Sequence, residues 1–583
     1  MGVSGRETNP ESMEYVVLAD YCRRLETADA DETLVATLAE LFATVDDDHL
    51  PLVVTMVRGK LTPRWEQLEL GVSSSLTREA IVRATGVDPD ALEAAWRDRG
   101  DLGAAAEWAV TNDRQQTLFS ETLTVADVHD RLGELAGYTG AGSRDRKVET
   151  VAGLVSNADS QSARYLVRTV LGYMRIGVGD GTVRDAVAEA FLDVAGEPAA
   201  GTPSATQPAV DAVERAFQVT NDYRLVARVA REQGVDGLDT LDVELGRPVE
   251  LMLARKAEGL ETGLATVVGG DEWPGRVLAE VKYDGVRAQA HVTDDGVQLF
   301  SRRLVEVTDQ FPAVVDALGD RVDGEALLDG ELVGYDGDGE PVPFQEFSRR
   351  VRREDDIAEL AAEIPARFHL FDCLAADGRT LLDRPLTDRV DALGGVVTFD
   401  GPLVRADHTL PASVDEARAF YRTAVDAGHE GVMLKNRTAT YQPGRRVGQM
   451  LKHKPVMEPL DLVVTRAQYS EGRRSELLGR LYLAAHDPDD GFREVGRLST
   501  GYTDAELARL TERLEASVTT RDGRDIELRP EVVVEVAYEE IQASEAYDSG
   551  FALRFPRFLG VREDLAPADA DTVARVAELY DTQ

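Results

Sequence analysis

The sequence predicts a multidomain protein: an all-α domain over residues 1–245, an α+β domain over 246–456 and a small β-barrel over 457–583. Three observations predict it. At roughly 100 to 200 residues per domain, a chain of 583 residues makes three or four domains. Up to Leu245 the apolar residues recur at helical spacing, whereas from Gly246 they alternate in short runs separated by Asp-Gly turns. Beyond Glu458 the runs are strand-like with glycine punctuation, which fits a barrel of about 120 residues.

The elements follow in chain order. Asp31 to Phe42 reads as a helix, with Leu34, Leu38 and Leu41 on one face behind acidic residues placed to cap its start. Ala195 to Pro208, rich in Gly, Pro, Ala and Thr, reads as an exposed loop, and no repeat period is visible. In the second domain Asp295-Gly296, Asp336-Gly337 and Asp377-Gly378 mark hairpin turns, and Val414 to Ala427 reads as a helix. In the third, Asp461 to Tyr469, Leu478 to Ala485 and Val532 to Ile541 read as strands and Thr503 to Leu514 as a helix.

Composition narrows the class. Hydrophobic residues make up 43% and charged residues 29%, a globular balance, and runs such as Pro51 to Val57 are far shorter than the roughly 18 apolar residues of a membrane span. The polar start from Met1 to Ser12 carries no signal peptide, so a cytoplasmic protein is expected. Cys22 and Cys373 are too few for a disulfide framework or a Cys-based zinc site. The net charge is −42, and only seven of the 64 basic residues are lysine, at 60, 147, 256, 282, 435, 452 and 454. Two readings are open: a protein built for concentrated salt, where repulsion among carboxylates is screened, or an acidic protein that avoids nucleic acid. Four of the seven lysines fall between 282 and 454, in contexts that ask for an amine.

The first such context is Glu280-Val281-Lys282-Tyr283-Asp284-Gly285-Val286-Arg287. Val277 to Lys282 reads as a strand that turns at Asp284-Gly285 and returns along Arg287 to Val292, leaving Lys282 at the mouth of a hairpin. A solvated hairpin lysine is the bland reading. Against it, a lysine-depleted chain could have used arginine for solvation, whereas an amine nucleophile cannot be replaced by a guanidinium that never deprotonates. A chance Lys-x-Asp-Gly-x-Arg at this length and lysine content is on the order of a few per thousand.

Further motifs follow in order: Leu328-Asp329-Gly330-Glu331, Phe368-His369-Leu370-Phe371-Asp372, Glu430-Gly431-Val432-Met433-Leu434-Lys435 and Met450-Leu451-Lys452-His453-Lys454. Upstream stand Arg164-Tyr165-Leu166-Val167-Arg168 and Leu171 to Gly179, and downstream Arg554-Phe555-Pro556-Arg557 and Arg562-Glu563-Asp564. With this set the chain resembles, almost from end to end, the ATP-dependent DNA ligases of the archaeal and eukaryotic replicative type. The resemblance implies a helical DNA-binding domain, a nucleotidyltransferase (adenylation) domain and an OB-fold domain. With the acid excess, it implies a member from a halophilic archaeon. It further implies that Lys282 attacks the α-phosphate of ATP, with Lys452, Lys454 and Arg287 nearby to favour the neutral amine and stabilise the phosphate charge. Glu280 would face the adenine amino group and Phe371 would stack on the base. Arg287, Arg302 and Arg446 would contact the nucleotide, and Glu331 would lie near the ribose. Glu430, with Glu331, would bind Mg2+, a hard cation that takes carboxylate oxygens. The family has Lys where this chain has Leu565, which leaves Arg554 and Arg557 as the contacts to pyrophosphate or DNA.

Each of these residues also has an ordinary reading: Phe371 as core, Glu331 as a polar strand position, Lys452 and Lys454 as a solvated face, Arg554 and Arg557 as salt-bridge partners. Their order favours one chemistry, nick sealing on double-stranded DNA in replication, repair and recombination. RNA ligation or capping shares the lysine motif but lacks a helical domain of this size, and a non-catalytic nucleic-acid clamp would not need the three lysines 282, 452 and 454. An NAD-dependent ligase would carry a four-Cys zinc module. Gln115, Leu118 and Phe119, in Gln115-Gln116-Thr117-Leu118-Phe119, resemble a peptide that docks on a sliding clamp, a short pattern that also arises by chance. The protein is expected as a monomer with no membrane partner.

Overall fold

The computed structural model describes residues 13–112, 121–192, 206–351, 356–455, 457–470 and 476–582. Gln115, Leu118 and Phe119 lie outside the described residues, as does most of the Ala195 to Pro208 stretch. The described end of that stretch is helical, since Gln207–Thr220 is a helix with Pro208 in its first turn, where a missing N–H costs nothing. The chain forms two compact units, Met1–His453 and Lys454–Gln583.

The first unit begins with helices from Tyr15–Glu26 to Tyr223–Thr240, packed around one apolar core. The helix expected from Asp31 spans Asp31–Thr44 and buries Leu34, Leu38 and Leu41. Its acids do not cap: the N-cap is Ala30 with no side-chain bond, so Asp31 and Glu32 act only as charges near the positive helix end. Helices Leu102–Thr111 and Ser160–Val170 meet at Gly103, where a Cβ would fall 2.6 Å from the Arg164 carbonyl oxygen, a distance only glycine permits. Beside that contact lies buried Arg168. It donates to Asp101 at 2.7 and 2.9 Å, to both Glu26 oxygens at 2.9 Å and to the Met174 carbonyl at 2.9 Å, tying four segments together. The Arg164 to Arg168 motif thus has a structural use in this fold.

From residue 253 the unit turns to strands: β1 (Leu253–Lys256), β2 (Val277–Lys282), β3 (Val286–Thr293), β4 (Gly296–Ser301), β5 (Ala326–Gly334), β6 (Ala366–Ala376), β7 (Arg379–Thr380), β8 (Leu403–Arg405), β9 (His408–Thr409), β10 (Gly431–Asn436) and β11 (Arg446–His453). They form two sheets, one in the order β1-β11-β10-β2-β9 and one in the order β4-β3-β5-β6-β7 with β8 beside β6. The hairpin expected around Lys282 is therefore absent. β2 pairs with β10 and β9, β3 with β4 and β5, and Tyr283-Asp284-Gly285 carries the chain from one sheet to the other. A Cβ on Gly285 would lie 2.2 Å from the Leu332 carbonyl, so this crossing is open only to glycine. The Asp377-Gly378 turn is a hairpin, with φ of 51° and 70° as a type I′ turn requires. The expected helix at Val414 spans Val414–Asp426.

The link between the helices and the sheets lies along β3. Gln289 accepts from Val249 N (3.0 Å) and donates to its carbonyl (2.6 Å), while His291 Nδ1 accepts from Gly246 N (3.0 Å).

The second unit is a curved antiparallel sheet. β12 (Leu460–Tyr469), β13 (Leu478–Asp487) and β14 (Gly491–Leu498) pair in order, followed in the chain by β15 (Val518–Asp522), β16 (Asp525–Leu528) and β17 (Val533–Ala537). The free edge of β12 is shared, its first half pairing with β17 and its second with β16, which curls the sheet around its apolar core. The expected Val532 to Ile541 strand is broken in two. β17 pairs with β20 (Arg557–Val561), and β18 (Glu540–Ala543) pairs with β19 (Phe551–Arg554). The helix Asp504–Glu515 carries the Thr503–Glu506 capping box.

Candidate active site

Strand alternation sorts the side chains of the first sheet. Val277, Ala279 and Val281 of β2 pack with Leu264 of helix Leu260–Val268 and Ala417 and Ala424 of helix Val414–Asp426, so Glu280 and Lys282 project from the opposite face. Register extends that face: Lys282 lies opposite Gly431, Glu280 opposite Met433, Met433 opposite Lys452, and Lys452 opposite Lys256 of β1. In the second sheet Ala288, Leu328, Leu332 and Leu370 fill an apolar core on one face. Arg287, Asp329, Glu331 and Phe371 occupy the other, toward the first sheet.

The chemistry concentrates between the two faces. Lys282 Nζ is ion-paired with Glu430, which immediately precedes β10. The ion-pair partner of Lys282 is thus a carboxylate. Arg287 instead points at Asp329, donating through Nε (3.1 Å) and Nη2 (2.7 Å), and its Nη1 binds the Met252 carbonyl at 2.7 Å. Tyr441 donates to the same Asp329 at 3.1 Å. Burial works against the charge of Arg287, and Asp329 more than compensates, holding it protonated.

Glu280 is buried and paired with Lys435, which offsets part of the burial that raises its proton affinity. Lys435 Nζ also sits 4.3 Å from the Phe371 ring centroid and the Arg287 guanidinium 5.6 Å from it, so two cations lie against the half-buried ring. Met252, Arg287, Phe371, Lys435, Tyr441 and Met450 line a small cavity there. Burial pushes Glu331 up to about 8, opposed by Lys282 and Arg287 and reinforced by the charge of Glu430.

The structure thus brings together Lys282, Glu280, Arg287, Glu331, Phe371, Glu430 and Lys452. It places Arg302 in the exposed turn after β4 and Arg446 at the exposed start of β11. Lys454 follows the end of β11 at His453, so the alternation expected of Lys452 and Lys454 stops within the pair. In the second unit Arg554 is paired with Glu540 at 2.9 Å, in line with its ordinary reading, whereas Arg557 is exposed. Leu565, the departure from the family pattern, packs with Val463, Val533 and Ala570. Sequence reasoning missed Asp329, Tyr441 and Lys435. Asp329 and Lys435 carried a usable signal, standing inside the motifs Leu328 to Glu331 and Glu430 to Lys435, whereas Tyr441 carried none.

Residues 251–454 match the family model for the ATP dependent DNA ligase domain, 14–188 that for the DNA ligase N terminus, and 474–565 that for the ATP dependent DNA ligase C terminal region. A DNA ligase of Haloferax volcanii is 44% identical over 595 residues, covering 98% of this chain and 100% of that protein. The chain belongs to the ATP-dependent DNA ligase family. A DNA ligase of Thermococcus onnurineus is 39% identical with 98% of each chain covered, so the likeness extends beyond haloarchaea. The solved structure of Pmar-Lig_PreS3 shares the fold, with a TM-score of 0.55 at 16% identity over 94% of this chain and 99% of that one. Family membership gives the three regions their names: helical N-terminal domain, nucleotidyltransferase domain and C-terminal OB-fold domain. No helix among the described residues is long and apolar enough to cross a membrane.

Proposed function

We propose that this ligase seals nicks in duplex DNA through a covalent adenylate on Lys282, serving replication, repair and recombination. The observation that carries the reading is the position of Lys282, one of seven lysines, at the crossing between the sheets and in contact with Glu430. The amine must first lose a proton, and Glu430 is the group positioned to take it. The nitrogen lone pair then attacks the α-phosphorus of ATP, the P–N bond forms, and the bond to pyrophosphate breaks. The AMP next passes to a DNA 5′-phosphate, freeing the lysine. Finally the 3′-hydroxyl attacks that phosphorus, closing the backbone and expelling AMP.

Around this step Glu280 accepts from the adenine amino group, Phe371 stacks on the base, and Arg287, Arg302, Arg446, Lys452 and Lys454 contact the nucleotide. Glu331 and Glu430 would hold Mg2+, and their fit is electrostatic: the charge of Glu430 adds to the cost of charging Glu331, which a hard cation would relieve. Two carboxylates suffice, because magnesium takes its remaining oxygens from phosphates and water and supplies charge neutralisation there. The domains 1–245, 246–456 and 457–583 would grip the duplex mainly through phosphate contacts, with Arg554 and Arg557 on the third. Gln115, Leu118 and Phe119 would dock on a sliding clamp, and the protein would act as a cytoplasmic monomer. The match of residues 14–188 to a DNA ligase N terminus weighs against RNA ligation or capping.

The test is incubation with α-labelled ATP and Mg2+. Wild-type protein should take up label, and Lys282→Arg, which keeps the charge but has no neutral amine, should take up none and seal no nicks. Label on Lys282→Arg would move the nucleophile elsewhere.

A further inference from the structure

Lys256 stands out among the side chains that the proposed chemistry leaves unused. It ends β1, is exposed, and lies directly beside Lys452 in the parallel β1–β11 pairing. Two lysines side by side repel, and this chain has 106 acids against 64 bases, so an acid or a neutral residue would relieve the repulsion at once. Among the described residues no carboxylate pairs with Lys256, with the preceding Arg255, or with Arg446 at the start of β11. The Arg255 Nε donates to the Arg446 carbonyl at 3.3 Å, which keeps these cations along one edge of the sheet. That edge continues the face bearing Glu280, Met433 and Lys452. An edge-strand lysine can also serve to block pairing with other chains. That role, however, requires neither a lysine neighbour nor a lysine in a chain that uses arginine almost everywhere else.

We propose that Lys256 extends the phosphate-binding surface of the site, donating to a phosphate oxygen of the bound substrate. The inference rests on the reading of the site as a lysine adenylation centre. The phosphate comes either from the triphosphate of ATP or from the DNA backbone beside the nick, and one experiment separates the two. Lys256→Gln and Lys256→Arg are compared with wild type in two assays. The first is self-adenylation with ATP together with its reversal by pyrophosphate; the second is sealing of a nick already carrying a 5′-adenylate. Loss of a charge-assisted contact at an exposed position should raise KM about tenfold in Lys256→Gln with little change in kcat, and Lys256→Arg should restore it to within about threefold. A rise confined to ATP and pyrophosphate assigns the triphosphate, and a rise confined to the nicked DNA assigns the backbone. Lys256→Gln equal to wild type in both assays would overturn the proposal. So would a Lys256→Arg that recovers only a lowered thermal midpoint, which would mark the lysine as an edge-strand guard. Failure of wild-type protein to take label from ATP would instead overturn the Lys282 reading.

Discussion

Removing the Asp329 carboxylate tests how Arg287 is held. Asp329 is fully buried and accepts from Arg287 twice and from Tyr441 once. Asp329→Ala leaves the partly buried Arg287 guanidinium without its hydrogen-bonded counter-charge, a change that costs about 3–5 kcal/mol where one partner of a buried pair is lost. Arg287 keeps its bond to the Met252 carbonyl and its place over Phe371, so the lower end, about 3 kcal/mol, is expected. Tyr441→Phe removes one hydrogen bond to the same carboxylate and should cost about 1 kcal/mol. Because the pair is buried, neither loss should shrink as salt rises, unlike the exposed Arg575–Glu458 pair. The assay is urea unfolding followed by circular dichroism at two salt concentrations, with KM for ATP measured in self-adenylation. An unmoored Arg287 should raise that KM together with the stability loss. An Asp329→Ala protein within about 1 kcal/mol of wild type and with unchanged KM would refute the reasoning.

Three more outcomes are expected. Glu331 binds its proton more tightly folded than unfolded, so its contribution to stability is present below its ordinary carboxylate range and is lost as pH rises through about 8. Glu331→Gln should therefore gain about 1–2 kcal/mol on wild type between pH 5 and pH 9, read from unfolding midpoints, the figure being reduced for partial exposure. Glu430→Ala should seal a pre-adenylated nick at least about tenfold more slowly than wild type, measured in single turnover; equal rates would remove it from the later steps. Ligation should increase toward molar monovalent salt, where screening reaches about 3 Å, because the charge of −42 repels duplex DNA at low salt. Sealing that is fastest below roughly 0.2 M salt with a folded dichroism signal would contradict this.

Local pattern carried much of the fold. Helical spacing placed Asp31–Thr44 and Val414–Asp426 to within a turn, and alternation found β2, β12 and β13, because these signals act over neighbouring residues. The Lys282 segment shows where such reasoning stops. Tyr283-Asp284-Gly285 has turn composition, but which strand β3 joins depends on β5, some forty residues on. The site divides in the same way. Lys282, Glu331 and Glu430 were readable from short motifs, whereas the Arg287–Asp329–Tyr441 cluster and the Glu280–Lys435 pair join residues far apart in sequence. Arg168 likewise reads as a DNA-binding motif residue until its partners, buried Asp101 and half-buried Glu26, are seen.

The three residues between β2 and β3 also limit how the nucleotidyltransferase domain can breathe. Tyr283, Asp284 and Gly285 span at most about 10 Å when extended, and Asp284 Oδ2 and the Tyr283 hydroxyl are fastened to the backbone at Phe344 and Asp407. Ala406 and Asp407, between β8 and β9, make a second short crossing, so the two sheets are tethered at both places, with Lys282 at one of them. However the far edges of the sheets move, the distance from the amine to Arg287 is capped by a short tether. Movement elsewhere in the chain therefore leaves Lys282 and Arg287 within reach of each other.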